Sequence, residues 1–355
     1  MNNKKVLVGM SGGVDSAVSA IMLKQQGYDV YGATMELWED GKNESGCCNI
    51  SNINDAKKVC DMLNIPHYTF NLKDQFNKSV IDDFICEYEK CRTPNPCIEC
   101  NKHLKFGAMY EKAKELDIDY IATGHYAKIE YSEEFQRYIL KKSNNKTKDQ
   151  SYVLYNISKE MLGKIIFPLS DFESKDEIRE IARQNNIIVA SKPDSQDICF
   201  IPDGDYKNFL EKNNIKSETG HIVNTKGEVL GQHDGLYRYT VGQRKGIDIS
   251  SANKLYVIKL DTDNNNLIVG NEEDLYCKTL FASNINLLLI DEINEPMKVK
   301  AKTRYSAKAS SATIYKIENG SIKVEFDEEQ RAITPGQSIV FYTDDGIVIG
   351  GGKIQ

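Results

Sequence analysis

The chain has 355 residues, of which 40% are hydrophobic, and its formal net charge at pH 7 is −7. This length suits two or three domains, and the lack of an export signal or of a run of 18 apolar residues predicts a cytoplasmic protein with no membrane span. The acidic balance argues weakly against nucleic-acid binding, although a local basic stripe can bind RNA on an acidic protein. The chain has nine cysteines, and without an export signal these favour reduced thiols over a disulfide framework.

The first predicted element is a strand that runs into a glycine-rich turn. Residues 6–16, Val-Leu-Val-Gly-Met-Ser-Gly-Gly-Val-Asp-Ser, predict a buried strand, a tight turn and a helix that begins near Ala17. Backbone N–H groups in such a turn point at a bound anion, and the helix dipole favours its charge. No Gly-Lys-Ser/Thr follows, so this is not a Walker loop. The stretch predicts a phosphate site, and an ordinary strand–helix turn is the alternative.

Strand and helix patterns alternate over the first 200 residues. Strands are predicted at 28–35, 65–70 and 120–123, and helices follow an N-cap at Asn54 and a capping box at Ser174–Glu177. Such alternation predicts an α/β fold with a doubly wound parallel sheet, whose ligands bind at the carboxyl ends of its strands.

The pattern changes after about residue 205. Short strands and glycine-rich turns predict a small, mostly-β central domain, and an all-β pattern from about residue 280 predicts a small C-terminal β-barrel. We therefore expect a catalytic domain at 1–205, a central domain at 206–278 and a barrel at 279–355.

Three cysteines lie in unusual surroundings. Cys97 and Cys100 form a CxxC pair in the segment Thr93-Pro-Asn-Pro-Cys-Ile-Glu-Cys-Asn101, where two prolines prevent a helix before Cys97. Cys199 lies in Lys192-Pro-Asp-Ser-Gln-Asp-Ile-Cys-Phe-Ile201. By itself, a CxxC pair indicates redox chemistry, a metal site or coincidence. The remaining cysteines are predicted to be buried or incidental: Cys47, Cys48, Cys60, Cys86, Cys91 and Cys277.

Seven motifs, taken in order, resemble those of bacterial tRNA-specific 2-thiouridylases, which belong to the PP-loop ATP pyrophosphatase superfamily. They are Ser11–Ser16, Thr93–Asn101, Ala122–Ala127, Lys148–Tyr152, Asp194–Phe200, Tyr239–Gly246 and Thr334–Gln337. The resemblance spans essentially the whole chain. It implies an ATP-dependent transferase that makes 2-thiouridine at the wobble position of tRNAs for Lys, Glu and Gln.

The resemblance also implies roles for matching residues. Cys199 would carry a persulfide received from a cysteine desulfurase or a sulfur-relay protein, and Cys100 would close a disulfide with it as sulfur is released. The residues implied to bind ATP are Gly9, Met10, Ser11, Gly12, Gly13, Val14, Asp15, Ser16, Met35 and Gly124. Those implied to meet the target base are Asn95, Pro96 and Cys97. Those implied to contact tRNA are His125, Lys148, Asp149, Gln150, Arg304, Tyr305 and Gln337.

The implied reaction is chemically reasonable. The C2 oxygen of uracil is a poor leaving group, and adenylation converts it into part of AMP, which a sulfur nucleophile can displace. Loss of pyrophosphate needs charge stabilisation, which loop amides and Mg²⁺ can supply. Asp15 is a candidate magnesium contact, and a helix cap is the equal alternative. The target base must also leave the anticodon stack to reach the pocket.

One residue departs from the family pattern, because many members carry Asp where this chain has Cys97. Cys97, Cys100 and Cys199 together match the ligand set of a [4Fe–4S] cluster with one open iron, which could hold and donate sulfide. A zinc site is a further alternative. Two other functions stay open: a PP-loop ligase that adenylates a small carboxylate and does not need these cysteines, and a non-catalytic iron–sulfur or RNA-binding protein.

Two segments of the C-terminal half are candidates for an RNA surface. Lys298, Lys300, Lys302 and Arg304 alternate with uncharged residues, so in a strand they share one face. A solvated edge strand protected by lysines is the alternative. The segment 237–245 mixes aromatic and basic residues, a composition suited to phosphates and stacked bases. An ordinary basic turn is the alternative.

Overall fold

The computed structural model describes residues 4–38, 50–193, 198–250 and 254–355. Two predicted features, the Cys47-Cys48 pair and the motif residues Asp194–Asp197, lie outside this part of the chain. The molecule divides into two compact units. One comprises residues 1–81, 96–204 and 346–348, and the other comprises residues 82–95, 205–345 and 349–355.

The first unit is built on a five-stranded sheet with the strand order β3-β2-β1-β4-β7, in which every neighbouring pair is parallel. Its strands are β1 (Lys5–Gly9), β2 (Asp29–Glu36), β3 (His67–Asn71) and β4 (Tyr120–Ala122), followed by the hairpin β5 (Ala127–Ser132) and β6 (Arg137–Lys142), and then β7 (Ile165–Ile166). Strand order reverses between β1 and β4, and ligands of doubly wound sheets bind at such a point. The predicted fold class is confirmed.

The helices follow in chain order. They are α1 (Val14–Gln25), α2 (Ile50–Leu63), α3 (Lys73–Phe76), α4 (Asp82–Glu89), α5 (Pro96–Cys100), α6 (Met109–Glu115), α7 (Lys159–Leu162), α8 (Lys175–Gln184) and α9 (Tyr206–Lys212). Two π-helical stretches cover Asn77–Ile81 and Asn101–Ala108. Of the helices in the described part of the chain, none is long and apolar enough to cross a bilayer.

Three helix starts test the sequence predictions. The capping box is confirmed. The Ser174 side chain accepts a hydrogen bond from the Glu177 N–H, and the Glu177 carboxylate accepts one from the Ser174 N–H. The predicted start of α1 near Ala17 is wrong by a turn, since Gly13 already ends the extended segment. The Asn54 cap is also wrong: α2 begins at Ile50, so Asn54 lies inside the helix.

One hydrophobic cluster fixes the glycine-rich turn to the sheet. Val6 and Val8 of β1 are completely buried, and they belong to the same cluster as Val18 of α1 and Ile178 of α8. Apolar residues on every side suit a central strand of a parallel sheet. The turn after β1 is therefore supported by a close-packed core on both of its ends.

The second unit contains two β structures. The first is a sheet in the order β10-β11-β8-β9, made of β8 (Gly220–Asn224), β9 (Val229–His233), β10 (Tyr256–Asp261) and β11 (Asn266–Gly270). The second is a closed barrel in the order β12-β15-β14-β13-β16-β17. Its strands are β12 (Tyr276–Leu287), β13 (Met297–Lys302), β14 (Ser310–Lys316), β15 (Ile322–Arg331), β16 (Ser338–Tyr342) and β17 (Val348–Ile354). The predicted C-terminal β-barrel is confirmed.

Candidate active site

The turn between β1 and α1 presents a helix N-terminus at the carboxyl end of the sheet. Gly13 precedes α1 in an extended conformation, with φ −109° and ψ 167°, and has no side chain to cap the helix. Because the first N–H groups of a helix have no intrahelical acceptor, they are available to an anion. The turn therefore leaves N–H groups available to an anion, and phosphate binding at this turn stays a prediction.

Hydroxyl groups hold this turn in shape from inside. Ser16 Oγ donates to the Gly13 carbonyl at 3.0 Å and accepts from the Ser11 N–H at 3.2 Å. The Ser11 hydroxyl lies 3.3 Å from the same oxygen. Ser16 is buried, so its role in the described structure is to fix the loop backbone.

The two glycines of the turn differ in what they require. Gly12 has φ +69°, and a Cβ atom there would lie 2.5 Å from the Asn52 carbonyl oxygen. At Gly13 a Cβ would meet only Ser11 Oγ, at 3.4 Å. The fold therefore demands glycine at position 12, whereas position 13 has room for a small side chain.

Asp15 is held by two partners from other elements. Lys175 Nζ lies 3.0 Å from Asp15 Oδ2, and the Tyr126 hydroxyl donates to Asp15 Oδ1 at 2.8 Å. The Lys175 side chain is only 13% exposed, so this ion pair is sheltered from bulk water. Asp15 lies within the first turn of α1 and does not cap it, which removes one of the two predicted roles.

A second lysine contacts the loop backbone. Lys192 Nζ donates to the Gly12 carbonyl at 3.1 Å and to Asp55 Oδ2 at 2.8 Å, and it also bonds the Asn52 side chain. Lys192 thus joins the turn to helix α2. It precedes Cys199 by seven positions in the sequence.

Gly124 and Met35 flank the same edge of the sheet. A Cβ at Gly124 would lie 2.9 Å from Asp15 Cβ and 3.0 Å from the Ser16 nitrogen, so this glycine lets the chain after β4 approach α1 closely. Met35 is half-buried near the carboxyl end of β2. The structure therefore brings Gly124 to the predicted ATP loop, Gly9–Ser16, and places Met35 on the neighbouring strand.

The cysteines differ in exposure. Cys97 is exposed and Cys100 is buried on α5, which begins at Pro96, and Cys199 is half-buried. The π-helical stretch that starts at Asn101 follows at once, and such stretches are frequent at functional sites. Asn101 is buried and donates from Nδ2 to the Val153 carbonyl at 2.9 Å.

Two of the cysteines predicted to be buried or incidental have thiols that resist ionisation. Cys60 is completely buried, and desolvation raises the pKa of its thiol to about 12. Burial also raises the pKa of Cys91. A thiol that resists ionisation is a poor nucleophile, so neither residue is suited to sulfur chemistry.

His125 occupies a more enclosed place than a surface contact would. Its ring is only 8% exposed and lies near the rings of Phe106 and Phe167, at centroid distances of 5.8 and 5.9 Å. Nδ1 is 2.7 Å from Thr123 Oγ1. Burial, with a smaller contribution from Lys105, lowers the pKa of His125 well below its usual value. At neutral pH the ring is therefore uncharged.

This burial has a consequence for stability. In the unfolded chain the imidazole of His125 is protonated below about pH 6.5, whereas in the folded chain it stays neutral at that pH. The free energy of unfolding should therefore be highest above pH 6.5 and should fall below it, by up to about 1.4 kcal/mol per pH unit. Urea unfolding between pH 7 and pH 5 should show a shallower decline for His125→Gln than for the unmodified chain. Equal slopes would contradict the assignment.

The other predicted tRNA contacts also have partners within the protein. Asp149 accepts hydrogen bonds from Ser143 and Ser151, and the Gln150 side chain accepts from the Tyr126 N–H at 2.9 Å. Lys148 donates its N–H to Asn145 Oδ1 in the same turn. Since Tyr126 binds Asp15, this turn supports the ATP loop as well as offering a surface.

The basic stripe has the predicted alternation. Along β13, Val299 and Ala301 are buried whereas Lys298 is exposed and Lys300 and Lys302 are half-buried. Lys298 pairs with Asp327 and Lys300 with Asp344, so acidic neighbours offset part of the charge. Arg304 and Tyr305 lie in the turn after the strand, where Tyr305 is 42% exposed and Lys302 Nζ sits 5.3 Å from its ring centre.

The aromatic and basic segment at 237–245 does not offer rings to bases. Tyr237 and Tyr239 are buried, the Tyr237 hydroxyl donates to Glu211, and Arg238 pairs with the same carboxylate. The expectation that these two rings stack on RNA is therefore wrong. Composition alone could not tell an aromatic residue inside the unit from one on its surface.

Comparisons with known proteins agree over the full length. Family models match three consecutive parts: a tRNA methyl transferase HUP domain at residues 4–203, a tRNA methyl transferase PRC-barrel domain at 207–271 and an aminomethyltransferase beta-barrel domain at 277–354. A tRNA-specific 2-thiouridylase MnmA of Acetivibrio thermocellus is 52% identical and covers 100% of both chains. The chain belongs to the tRNA-specific 2-thiouridylase family. A second relative, the tRNA-specific 2-thiouridylase MnmA of Clostridioides difficile, is 51% identical over 99% of this chain and 98% of that protein.

Membership of the 2-thiouridylase family confirms the resemblance drawn from the seven motifs. Among solved structures, a 4-thiouridine synthetase–RNA complex with bound ATP covers 59% of this chain and 50% of its own, with 17% identity and a TM-score of 0.36. That similarity is too low to add to the family assignment.

Sequence reasoning missed the two lysines at the loop. Lys175 appeared only as the first residue of a capping-box helix, and Lys192 only as the start of the Cys199 motif. The Walker pattern places its lysine inside the loop, whereas here lysines reach the loop from residues more than 150 positions away. A search for a lysine near the loop sequence could not find them.

Proposed function

We propose that this chain is an ATP-dependent tRNA sulfurtransferase that converts the wobble uridine of tRNAs for Lys, Glu and Gln into 2-thiouridine. One observation carries the proposal: Lys192 bonds the glycine-rich loop and lies in the segment that leads to Cys199. The motif that contains Cys199 thus also supplies a lysine to the glycine-rich loop, so we expect nucleotide activation and sulfur supply to share one site. Names of the full-length relatives support the same substrate class.

The proposed reaction has two stages. The uracil C2 oxygen attacks the α-phosphorus of ATP and pyrophosphate leaves. The terminal sulfur of a Cys199 persulfide then attacks C2, and AMP departs with the former oxygen. Cys100 attacks the Cys199 sulfur and breaks the S–S bond, so the outer sulfur stays on the base as a thiocarbonyl. The resulting Cys100–Cys199 disulfide must be reduced by a thiol reductant, and a cysteine desulfurase or relay protein reloads Cys199.

The loop fits the triphosphate of ATP. Gly13 leaves space beside the uncapped N-terminus of α1, and Lys175 and Lys192 bring positive charge to Asp15 and to the Gly12 carbonyl. Mg²⁺ binds such phosphates through one or two carboxylates, and Asp15 is the carboxylate at this loop. When bound, the ion would neutralise charge on the departing pyrophosphate.

The iron–sulfur alternative has no support from the described residues. Within the described ranges, no three His, Cys, Asp or Glu side chains come close enough together to hold a metal ion. We therefore route sulfur through the persulfide. Iron and sulfide assays on anaerobically purified protein test this choice, and a reconstituted absorption band at about 400 nm that activity requires would overturn it.

The target base and the tRNA are assigned to two further sets of residues. We propose that Asn95, Pro96 and Cys97 meet the extruded uridine, and that Arg304 and Tyr305 of the barrel contact the tRNA. The stripe on β13 would add phosphate contacts, since it continues into Arg304. We also propose that the three domains, 1–205, 206–278 and 279–355, divide catalysis from tRNA binding.

The decisive test is nucleoside mass spectrometry of tRNA incubated with the protein, ATP, cysteine and a desulfurase. Formation of 2-thiouridine that depends on both ATP and the protein is expected. Pyrophosphate exchange with ATP in the absence of tRNA, together with adenylation of a small carboxylate, would favour the ligase alternative.

The two loop glycines give a matched pair of variants. Gly12→Ala should lower stability by about 1–3 kcal/mol, because the added Cβ meets the Asn52 backbone at a positive φ. Gly13→Ala should fold normally yet weaken ATP binding, because the methyl group occupies the space of a phosphate. Thermal unfolding and ATP titration of both variants check this, and unchanged ATP affinity in Gly13→Ala would contradict it.

A further inference from the structure

Tyr126 is a buried residue of the first unit whose hydroxyl reaches the glycine-rich turn. It is 3% exposed and belongs to the same hydrophobic cluster as Val14, Val18 and Ile178. A buried phenol needs a hydrogen-bond partner for its polar end. The Tyr126 hydroxyl donates to Asp15 Oδ1 at 2.8 Å, so the polar atom of this ring meets the carboxylate of the turn.

The chain segment that carries Tyr126 is closely fitted to Asp15. A Cβ atom at Gly124 would lie 2.9 Å from Asp15 Cβ, so this approach needs a glycine. The ring of the intervening His125 lies beside other aromatic rings instead. Gly124 and Tyr126 therefore meet the same aspartate, and of these two the tyrosine brings a side-chain donor to its carboxylate.

Gln150 fixes the backbone of Tyr126 through two hydrogen bonds. Gln150 Oε1 accepts from the Tyr126 N–H at 2.9 Å, and the Gln150 N–H donates to the Tyr126 carbonyl at 2.8 Å. The turn that carries Gln150 is itself closed by Asp149, whose Oδ1 accepts from the N–H groups of Ser143 and Ser151. Tyr126 thus has a fixed main chain as well as a packed ring, and its hydroxyl is presented to Asp15 at a defined place.

The carboxylate of Asp15 is oriented by two donors and is still accessible. Lys175 Nζ lies 3.0 Å from Oδ2, and the Tyr126 hydroxyl binds Oδ1, so both oxygens are held. A carboxylate offers about four lone-pair positions on its two oxygens, so one hydrogen bond on each oxygen leaves room for a further ligand. The Asp15 side chain is 29% exposed, which keeps this room open to a ligand from solution.

We propose that Tyr126, with its backbone held by Gln150, is a positioning residue that sets the orientation in which the Asp15 carboxylate meets the Mg²⁺ bound with ATP. The inference rests on the proposed function, which assigns ATP to this turn and Mg²⁺ to Asp15. Without the phenol, Lys175 alone would hold the carboxylate, and its plane would no longer be fixed. Mg²⁺ demands near-ideal octahedral geometry, and removing a group that orients a metal ligand typically costs about 10–100-fold in metal affinity.

The test uses Tyr126→Phe, which removes the hydroxyl and keeps the packed ring. Tyr131→Phe is the matched control, since it removes the same atom from an exposed ring of β5 whose hydroxyl lies 3.5 Å from Gln136 Oε1. The Kd for ATP is measured by equilibrium dialysis without tRNA, once with Mg²⁺ and once with EDTA, and thermal unfolding checks that each variant folds. If Tyr126→Phe does not fold, Gln150→Met, which removes the acceptor of the Tyr126 N–H, is measured in the same way and should show the same Mg²⁺-dependent loss.

With Mg²⁺ present, we expect Tyr126→Phe to raise the Kd for ATP by at least about tenfold, and with EDTA by less than about twofold. The control should match the unmodified chain in both media. A similar rise in both media would indicate damage to the loop itself and would overturn the inference, and so would no rise with Mg²⁺. Because no tRNA enters these titrations, failure of the unmodified chain to thiolate tRNA would overturn the proposed function, while the titrations would still report on Tyr126 and Asp15.

Discussion

Cys199→Ala is expected to lower the rate of 2-thiouridine formation by at least about 10³-fold, while the adenylation step stays intact. The variant retains the glycine-rich loop and both lysines, so the uracil oxygen can still attack ATP. No persulfide is present to displace AMP, and activated tRNA accumulates on the enzyme. Pyrophosphate release should therefore stop after about one equivalent per enzyme, with no thiolated nucleoside detected.

Cys100→Ala should stop the same reaction one step later. Without the attacking thiolate, the sulfur joined to C2 remains linked to Cys199 through the S–S bond. A covalent adduct of tRNA and protein should appear on a denaturing gel and disappear on treatment with dithiothreitol. This outcome follows only from the order of bond changes proposed for the persulfide.

The control for both variants is Cys277→Ala. Cys277 is exposed on the barrel, and its sulfur lies 3.0 Å from the Thr279 carbonyl oxygen. Substitution by alanine removes this contact without creating a buried cavity. Its activity should match that of the unmodified chain. Full thiolation by Cys199→Ala would sink the persulfide route.

The parts of the fold that could be predicted from sequence depend on local rules. Alternating strands and helices indicated a parallel sheet, and the Ser174 capping box located the start of α8. The glycines in the sequence were enough to predict a sharp turn, and Gly12 has a φ of +69°. The predicted start of α2 was wrong because Asn54, a good cap in isolation, lies inside a helix that begins at Ile50.

The parts that could not be predicted depend on which distant residues meet. A lysine at the start of α8 is ordinary on a helix surface, and only the fold places Lys175 against Asp15. Likewise, nothing near Gln337 in the sequence indicates that its amide reaches the Thr93 carbonyl. Periodicity tells which face of a strand is buried, but it does not tell which element covers that face.

Lys175→Met is expected to lower the rate of adenylation by about 10²-fold, with a smaller loss in Lys175→Arg. The pyrophosphate that leaves ATP gains negative charge in the transition state, and a sheltered ammonium group beside the loop offsets that charge. The Lys175 side chain is 13% exposed, so its charge is less screened than that of a surface lysine. Initial rates of pyrophosphate release, measured with saturating tRNA, check this prediction.

Lys164→Met is the matched control, because it removes the same charge from an exposed position of the first unit, where Nζ lies 5.9 Å from the Tyr120 ring centre. Its rate should stay within about twofold of the unmodified rate. A comparable loss in this variant would show that the effect comes from net charge and not from the site.

Two roles for Lys175 must still be separated, since it could act on the phosphates or merely neutralise Asp15. If neutralisation were its whole role, the double variant without either group would be as active as Asp15→Asn alone. We expect the double variant Asp15→Asn with Lys175→Met to remain at least about tenfold impaired relative to Asp15→Asn alone, because the phosphates would still lack the ammonium group. Equal rates in these two variants would assign Lys175 to Asp15 and leave Lys192 and the helix N-terminus to stabilise the leaving pyrophosphate.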